Sequence, residues 1–249
     1  MGKIREIPWP RIFAEGAAIV VSILLAFGIE AWWQERQDRQ VEQSILSSLI
    51  DEFRGLKKML DHERRTQQAI LDATNRLLRA ALESDFELEK DSIDRNLADI
   101  GWAGDETDWN MAVLSGLIAS GDISLVSNAK LRRELAIWPA WIERIKLYYR
   151  QDTDYAFQTL SPFLTLNAYM PPVANAGTNE PGHPENEVYA ARYLHTEDYD
   201  NLTLLSDRRF HNILVDKVYK QENILEIAFL RLDEELDATI QLLLEELAN

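Results

Sequence analysis

The sequence predicts an all-α protein: a single N-terminal transmembrane helix continuing into an elongated extracytoplasmic helical bundle. Three observations predict it. Ten glycines and eight prolines among 249 residues leave few points where a helix must stop, and 46% hydrophobic content is ample for a packed core. Apolar residues recur at spacings of three and four over long stretches, the period of an amphipathic helix and not of a strand. Fourteen uncharged residues, 16–29, lie between Glu15 and Glu30 and lead into a tryptophan pair.

That apolar run defines the first element. Taken over residues 12–33 it has 22 residues, about 33 Å as a helix, which matches the ~30 Å hydrocarbon layer of a bilayer. Trp9 on one side and Trp32 with Trp33 on the other sit where amphipathic rings favour the two headgroup regions, as an interface belt. Pro8 and Pro10 precede the helix, where a missing amide donor costs little. Two readings compete with the anchor: a cleaved signal peptide with Ala26-Phe27-Gly28 as its cleavage site, and a buried helix of a soluble core. Glu15 at the head of the run and the tryptophans after it suit an anchor better than either.

The glutamates fall near opposite ends of the span, where a carboxylate reaches the interface. Ala14, Ala18, Ser22, Ala26 and Glu30 recur every four residues, a small-residue stripe of the kind along which membrane helices approach closely, and Glu15 lies seven before Ser22 near the same face. The stripe predicts packing against other membrane protein subunits or against a second copy of the chain. Lys3, Arg5, Arg11 and the amino terminus outweigh Arg36 and Arg39, which Glu35 and Asp38 dilute. This bias assigns residues 1–11 to the cytoplasm and 34–249 to the periplasmic side of a bacterial inner membrane.

The net charge of −16 lies wholly beyond residue 33, because the first 33 residues balance. So acidic a domain repels phosphate backbones and anionic headgroups, which argues against a nucleic acid partner. The absence of cysteine excludes disulfides, thiolate catalysis and zinc-thiolate sites.

From Gln34 the helix continues without a breaker to about Ser84, with Leu49, Phe53, Leu56, Leu60, Ile70, Leu77 and Ala81 on one face. A shorter helix is expected around residues 93–100. Thr107 or Asp108 is placed to cap the next, with Trp109, Val113, Leu114 and Leu117 on its apolar face and Gly121 as its stop. Ser127 or Asn128 caps a long helix carrying Leu131, Leu135, Trp138, Trp141, Ile142, Ile145, Tyr148, Tyr149 and Tyr155; Pro139 is placed to kink it, and Pro162 marks a break or restart. Residues 170–187 hold four of the eight prolines and read as an ordered excursion or mobile loop. Ser206 or Asp207 then caps a closing helix through Leu247, about 60 Å long, which pairs antiparallel with the first.

Two stretches, "EGAAIVVSILLAFGIEAWWQERQDRQVEQSILSSLIDEF" and "VLSGLIASGDISLVSNAKLRRELAIW", resemble a family of uncharacterised bacterial single-span membrane proteins. The resemblance rests on a leading Glu and closing Trp around the span, and on the turn Ser120, Gly121, Asp122, Ile123 ahead of a helix start at Asn128, Leu131 and Arg132. It implies anchored topology and helical content, and carries over no catalytic residue. Physically the turn reads as structural: Gly121 tolerates the left-handed backbone, while Ser120 and Asp122 bond nearby backbone groups.

The sequence offers little chemistry. His62, His183, His195 and His211 share no ligand spacing, and neither a nucleophile elbow nor a phosphate-cradling glycine loop occurs. The acidic groups at 104–108 and 197–201 read as solvated caps before calcium ligands, and the aromatic stripe from Trp138 to Tyr155 as core before pocket. No cofactor or metal is expected. The function that follows is non-catalytic: an accessory or scaffold subunit whose span docks laterally in a membrane complex or oligomer and whose bundle buttresses it outside the cytoplasm. The alternative is an extracytoplasmic sensor that binds a small ligand and acts through a partner.

Overall fold

The computed structural model describes the backbone of residues 9–83, 88, 90–101, 108–177 and 199–248, and within these the side chains from residue 20 onward except 90, 91, 175 and 177. Among the described residues the chain is helical, with no strand. Helix α1 (Trp9–Leu82) runs for 74 residues, about 110 Å at 1.5 Å per residue. Pro10 falls inside its first turn and not before it, a position where proline is tolerated. Helix α2 (Lys90–Gly101) follows, then α3 (Ala112–Ser120), a 3₁₀ turn (Asp122–Leu125) and α4 (Ala129–Tyr155). A π turn (Ala156–Leu160) joins α4 to α5 (Ser161–Asn167), after which come α6 (Met170–Gly177) and a second 3₁₀ turn (Asn201–Ser206). The closing stretch is α7 (Arg208–Glu222), a π turn (Asn223–Phe229) and α8 (Leu230–Ala248).

Ion pairs fix the pairing direction of the long helices. Lys57 Nζ lies 2.6 Å from Asp233 and 2.5 Å from Asp237, and Arg64 lies 3.2 Å from Asp233, so rising numbers on α1 meet falling numbers on α8. The expected antiparallel pairing is therefore present. Helix α4 packs against both, and the core divides into two clusters along the bundle. One gathers Leu49, Phe53 and Leu60 of α1 with Leu135, Trp138 and Ile142 of α4 and Leu232 and Leu236 of α8. The other joins Leu77, Leu97, Leu160, Phe163, Phe210 and Leu214, with Phe163 stacked on Phe210 at 5.6 Å.

Local chemistry explains most of the helix ends. Asn128 Oδ1 accepts from the N–H groups of Lys130 and Leu131 at 2.9 and 3.1 Å, and Asp207 Oδ1 accepts from Arg209 and Phe210 at 2.6 and 3.3 Å. Each satisfies amides that the helix itself leaves bare. Asn128→Ala is expected to cost about 0.5–2 kcal/mol, read as a lower urea midpoint at unchanged slope. Gly121, at φ 84°, ends α3 with its N–H on Ile118 O. A side chain there would be strained in the left-handed region, so Gly121→Ala is expected to destabilise by about 1 kcal/mol in the same assay.

Three sequence expectations need correction. Helix α3 begins at Ala112, and its cap is neither Asp108 nor the adjacent Met111: the Glu52 carboxylate of α1 accepts from Val113 N–H at 2.7 Å and Leu114 N–H at 3.0 Å. Thr107 lies outside the described residues. Trp109 precedes α3 and is buried beside Tyr149 and Phe229. At Pro162 the helix restarts: the ladder shifts to a π turn just ahead of it and resumes as α5, with the proline in the first turn. Residues 170–177 form α6 and not a loop, since Pro171 and Pro172 occupy its first turn, where no amide donor is needed; residues 178–187 lie outside the described residues.

Toward its N-terminus helix α1 emerges from the bundle: every residue from 20 to 38 is exposed, whereas Glu42 and Leu46 are buried. Among the described residues no helix is long and apolar enough to cross a membrane. Ten residues separate the first described side chain, Val20, from Glu30, about 15 Å of helix and half a hydrocarbon layer. The span expected over residues 12–33 is therefore not shown by these residues.

Candidate functional site

The seams of the three long helices carry one shared interruption. On α1 the inward positions run Leu56, Leu60, Glu63, Gln67, Ile70, Thr74 and Leu77, alternating steps of four and three. On α4 they run Leu135, Trp138, Ile142, Ile145, Tyr149, Asp152 and Ala156, and on α7 Phe210, Leu214, Lys217, Gln221 and Ile224. Glu63, Gln67, Asp152, Lys217 and Gln221 are all buried, at positions where the pattern otherwise demands apolar side chains. They meet in a polar layer between the two apolar clusters.

At its centre Lys217 is 0% exposed and Asp152 6%. Lys217 Nζ donates to Asp152 Oδ1 at 2.9 Å and Oδ2 at 2.8 Å, and Gln221 Nε2 donates to the same Oδ2 at 3.0 Å. One helical turn separates Lys217 from Gln221, so one face of α7 delivers both donors to one carboxylate. On the other side of the layer Tyr149 Oη donates to Glu63 Oε2 at 2.7 Å. Burial, and next the Glu63 carboxylate, push the Tyr149 hydroxyl far above its ordinary range. The Tyr149 ring packs against Trp109 at 5.9 Å and Phe229 at 6.0 Å.

This arrangement suits pairing and not turnover. A lysine spent on a bidentate ion pair and closed off from solvent offers no nucleophile, and a buried polar set matched across three helices penalises every other register. Among the described residues no group of His, Asp and Glu is placed to hold a metal ion. A second buried polar group ties α2 to the residue before α6 and to the second 3₁₀ turn: Asn201 bonds Asp94 and both backbone groups of Tyr169, and Tyr199 Oη donates to Asp94. Asp200 caps the 3₁₀ turn through Leu202 N–H.

Near the unpartnered end of the bundle the electrostatics are shared among helices. Glu42 accepts from Ser127 N–H at 2.6 Å and from Arg39 at 2.7 Å. Burial alone would raise the Glu42 and Asp233 carboxyls, but the bonds from Ser127 and Arg39, and from Lys57 and Arg64, outweigh it and hold both below their ordinary values of 4.5 and 3.8. A carboxyl with a depressed folded pKa contributes stability that is complete above its unfolded pKa and lost as pH falls through the folded one. Urea midpoints measured stepwise are therefore expected to decline below about pH 4.5, and Glu42→Gln to flatten that decline.

The residues singled out in the sequence fall in two places. Ser22, Ala26, Glu30, Trp32 and Trp33 all lie on the exposed part of α1, with the Arg36 guanidinium over the Trp32 ring at 5.8 Å. The side chains of Trp9, Ala14, Glu15 and Ala18 lie outside those described. Ser120, Gly121 and Asp122 form an exposed turn closed on itself: Ser120 Oγ donates to Asp122 Oδ2 at 2.7 Å and accepts from Asp122 N–H. Of the aromatic stripe, Trp138 is core, edge-on to Phe53 at 4.8 Å; Trp141 is half-buried beneath Arg144 and Arg231; Tyr155 donates to Ile213 O. His211 Nε2 lies 2.8 Å from Leu205 O, a local capping contact. His183 and His195 lie outside the described residues.

Sequence reasoning missed the polar layer, whose five members read one helix at a time as ordinary hydrophilic positions. The available signal was the unbroken four-three spacing, which runs through them with polar residues at a common level on three helices. No protein-family model, no curated protein and no solved structure matches this chain.

Proposed function

We propose that the protein is a membrane-anchored accessory or scaffold subunit, held by the N-terminal part of α1 and presenting its acidic bundle on the periplasmic side of a bacterial inner membrane. The observation that carries this reading is the exposure of an apolar helix on all its faces. Val20, Val21, Leu24, Leu25, Phe27 and Ile29 are each more than half exposed, and no other helix covers them. A helix apolar all round is stable only inside a non-aqueous environment. Joined to residues 12–19, the same run has the length of a bilayer crossing. The likeness of the span and of the 120–132 stretch to uncharacterised single-span membrane proteins supports the same topology.

A polar layer in which the Lys217 ammonium is committed to the Asp152 carboxylate, away from solvent, favours a mechanical role for the bundle. Lateral docking runs along Ala14, Ala18, Ser22, Ala26 and Glu30, with Glu15 beside them. Gentle detergent extraction followed by mass spectrometry of co-purifying proteins is expected to recover defined partners or a defined oligomer. Ala18→Leu with Ser22→Leu is expected to shrink that complex on native electrophoresis. Recovery only as a free monomer overturns the docking role. A second reading, a small-ligand sensor, is favoured by the two π turns beside the polar layer, an irregularity common at functional sites; saturable thermal stabilisation by a metabolite is its signature.

A further inference from the structure

The polar layer has more hydrogen-bonding capacity than its own side chains use. Gln221 spends Nε2 on Asp152 Oδ2, and reversing its amide would set an oxygen against a carboxylate, so its orientation is fixed. Gln221 Oε1 is left buried without a partner in a residue that is 0% exposed. Gln67, also buried, likewise leaves its Oε1 without a partner, while the Tyr149 hydroxyl beside the layer is spent on Glu63. Lys217 Nζ has three donors and gives two to Asp152. Trp109 Nε1, against Tyr149, is a further buried donor without a partner.

A dry interior does not tolerate such a set, because polar groups taken from water need replacement bonds. The occupant must be small, must donate to two amide oxygens and must accept from an ammonium or indole N–H. Water, with two donors and two acceptors, meets that demand, and interiors hold it where two to four polar groups converge. Helix α4 leaves regular geometry four residues after Asp152, and α7 two residues after Gln221; water commonly accompanies such departures.

We propose that the polar layer is a binding site for internal water, held by Gln67 Oε1 and Gln221 Oε1 as acceptors and by the remaining N–H of Lys217 as donor. The hydrated layer completes the bonds that join α1, α4 and α7. Oxygen-17 relaxation dispersion on the full chain in detergent micelles tests it directly. The wild-type protein is expected to show a long-lived water component that Gln67→Leu with Gln221→Leu reduces or abolishes. No such component, or one that both substitutions leave intact, overturns the proposal. Because that double variant removes a bond to Asp152 and can fail to fold, a crystal structure of the unmodified chain gives a second reading. Solvent density about 2.7–3.2 Å from Gln221 Oε1 or Gln67 Oε1 is expected. Both oxygens turned onto protein donors, or density for a larger molecule in the layer, contradict it.

Discussion

Asp152→Ala is expected to lower the stability of the bundle by about 3–5 kcal/mol, the usual cost of removing one partner of a buried ion pair. The substitution leaves Lys217, which is 0% exposed, without its carboxylate, and frees Gln221 Nε2 at the same time. The pair is costly to break and of little net benefit when whole, because both charges give up their hydration on folding. The double variant Asp152→Leu with Lys217→Met is accordingly expected to recover most of the loss, and equilibrium urea unfolding of the three proteins measures both. A single variant as stable as the parent would show that the pair does not form. A double variant no better than the single would show that Lys217 is not the group left stranded.

Trp138→Ala is expected to cost a similar amount, about 3–5 kcal/mol, by a different route. Trp138 is 1% exposed, sits edge-on to Phe53 at 4.8 Å and donates from Nε1 to Thr239 Oγ1 at 3.1 Å. The substitution opens a cavity where α1, α4 and α8 meet and leaves the Thr239 hydroxyl short of a partner. Trp138→Phe keeps most of the volume and loses only the bond, so a loss of about 1 kcal/mol is expected. Thermal and urea unfolding followed by far-ultraviolet circular dichroism separates the two.

These effects follow from the part of the fold that periodicity reveals. Leu49, Phe53, Leu60, Leu131, Leu135 and Leu236 announce their helices because one spacing recurs over dozens of residues, and Asn128, Asp207 and Gly121 mark ends through chemistry confined to a few neighbours. The α3 cap was illegible for the opposite reason: Glu52 lies sixty residues away from the amides it serves, and only tertiary structure brings it there. The π turns are equally hidden, since a one-residue shift in the hydrogen-bond ladder leaves no compositional mark. Residues 170–177 misled through composition, because two prolines in a first turn support a helix that the same prolines further along would prevent. Nothing local marks Lys217 or Asp152 as buried, since a buried charge is rare, and their burial depends on one another across 65 positions of sequence.

The decisive measurement concerns the exposed apolar end of α1. The full-length chain, expressed with its own N-terminus, is separated by high-speed centrifugation, the membrane pellet is washed with alkaline carbonate, and the intact mass is determined. The account predicts that the protein stays in the washed pellet, leaves it only with detergent and retains its first thirty residues, while residues 34–249 alone stay in the supernatant. Full-length protein in the supernatant without detergent, or a mature chain cut near Gly28, would contradict it.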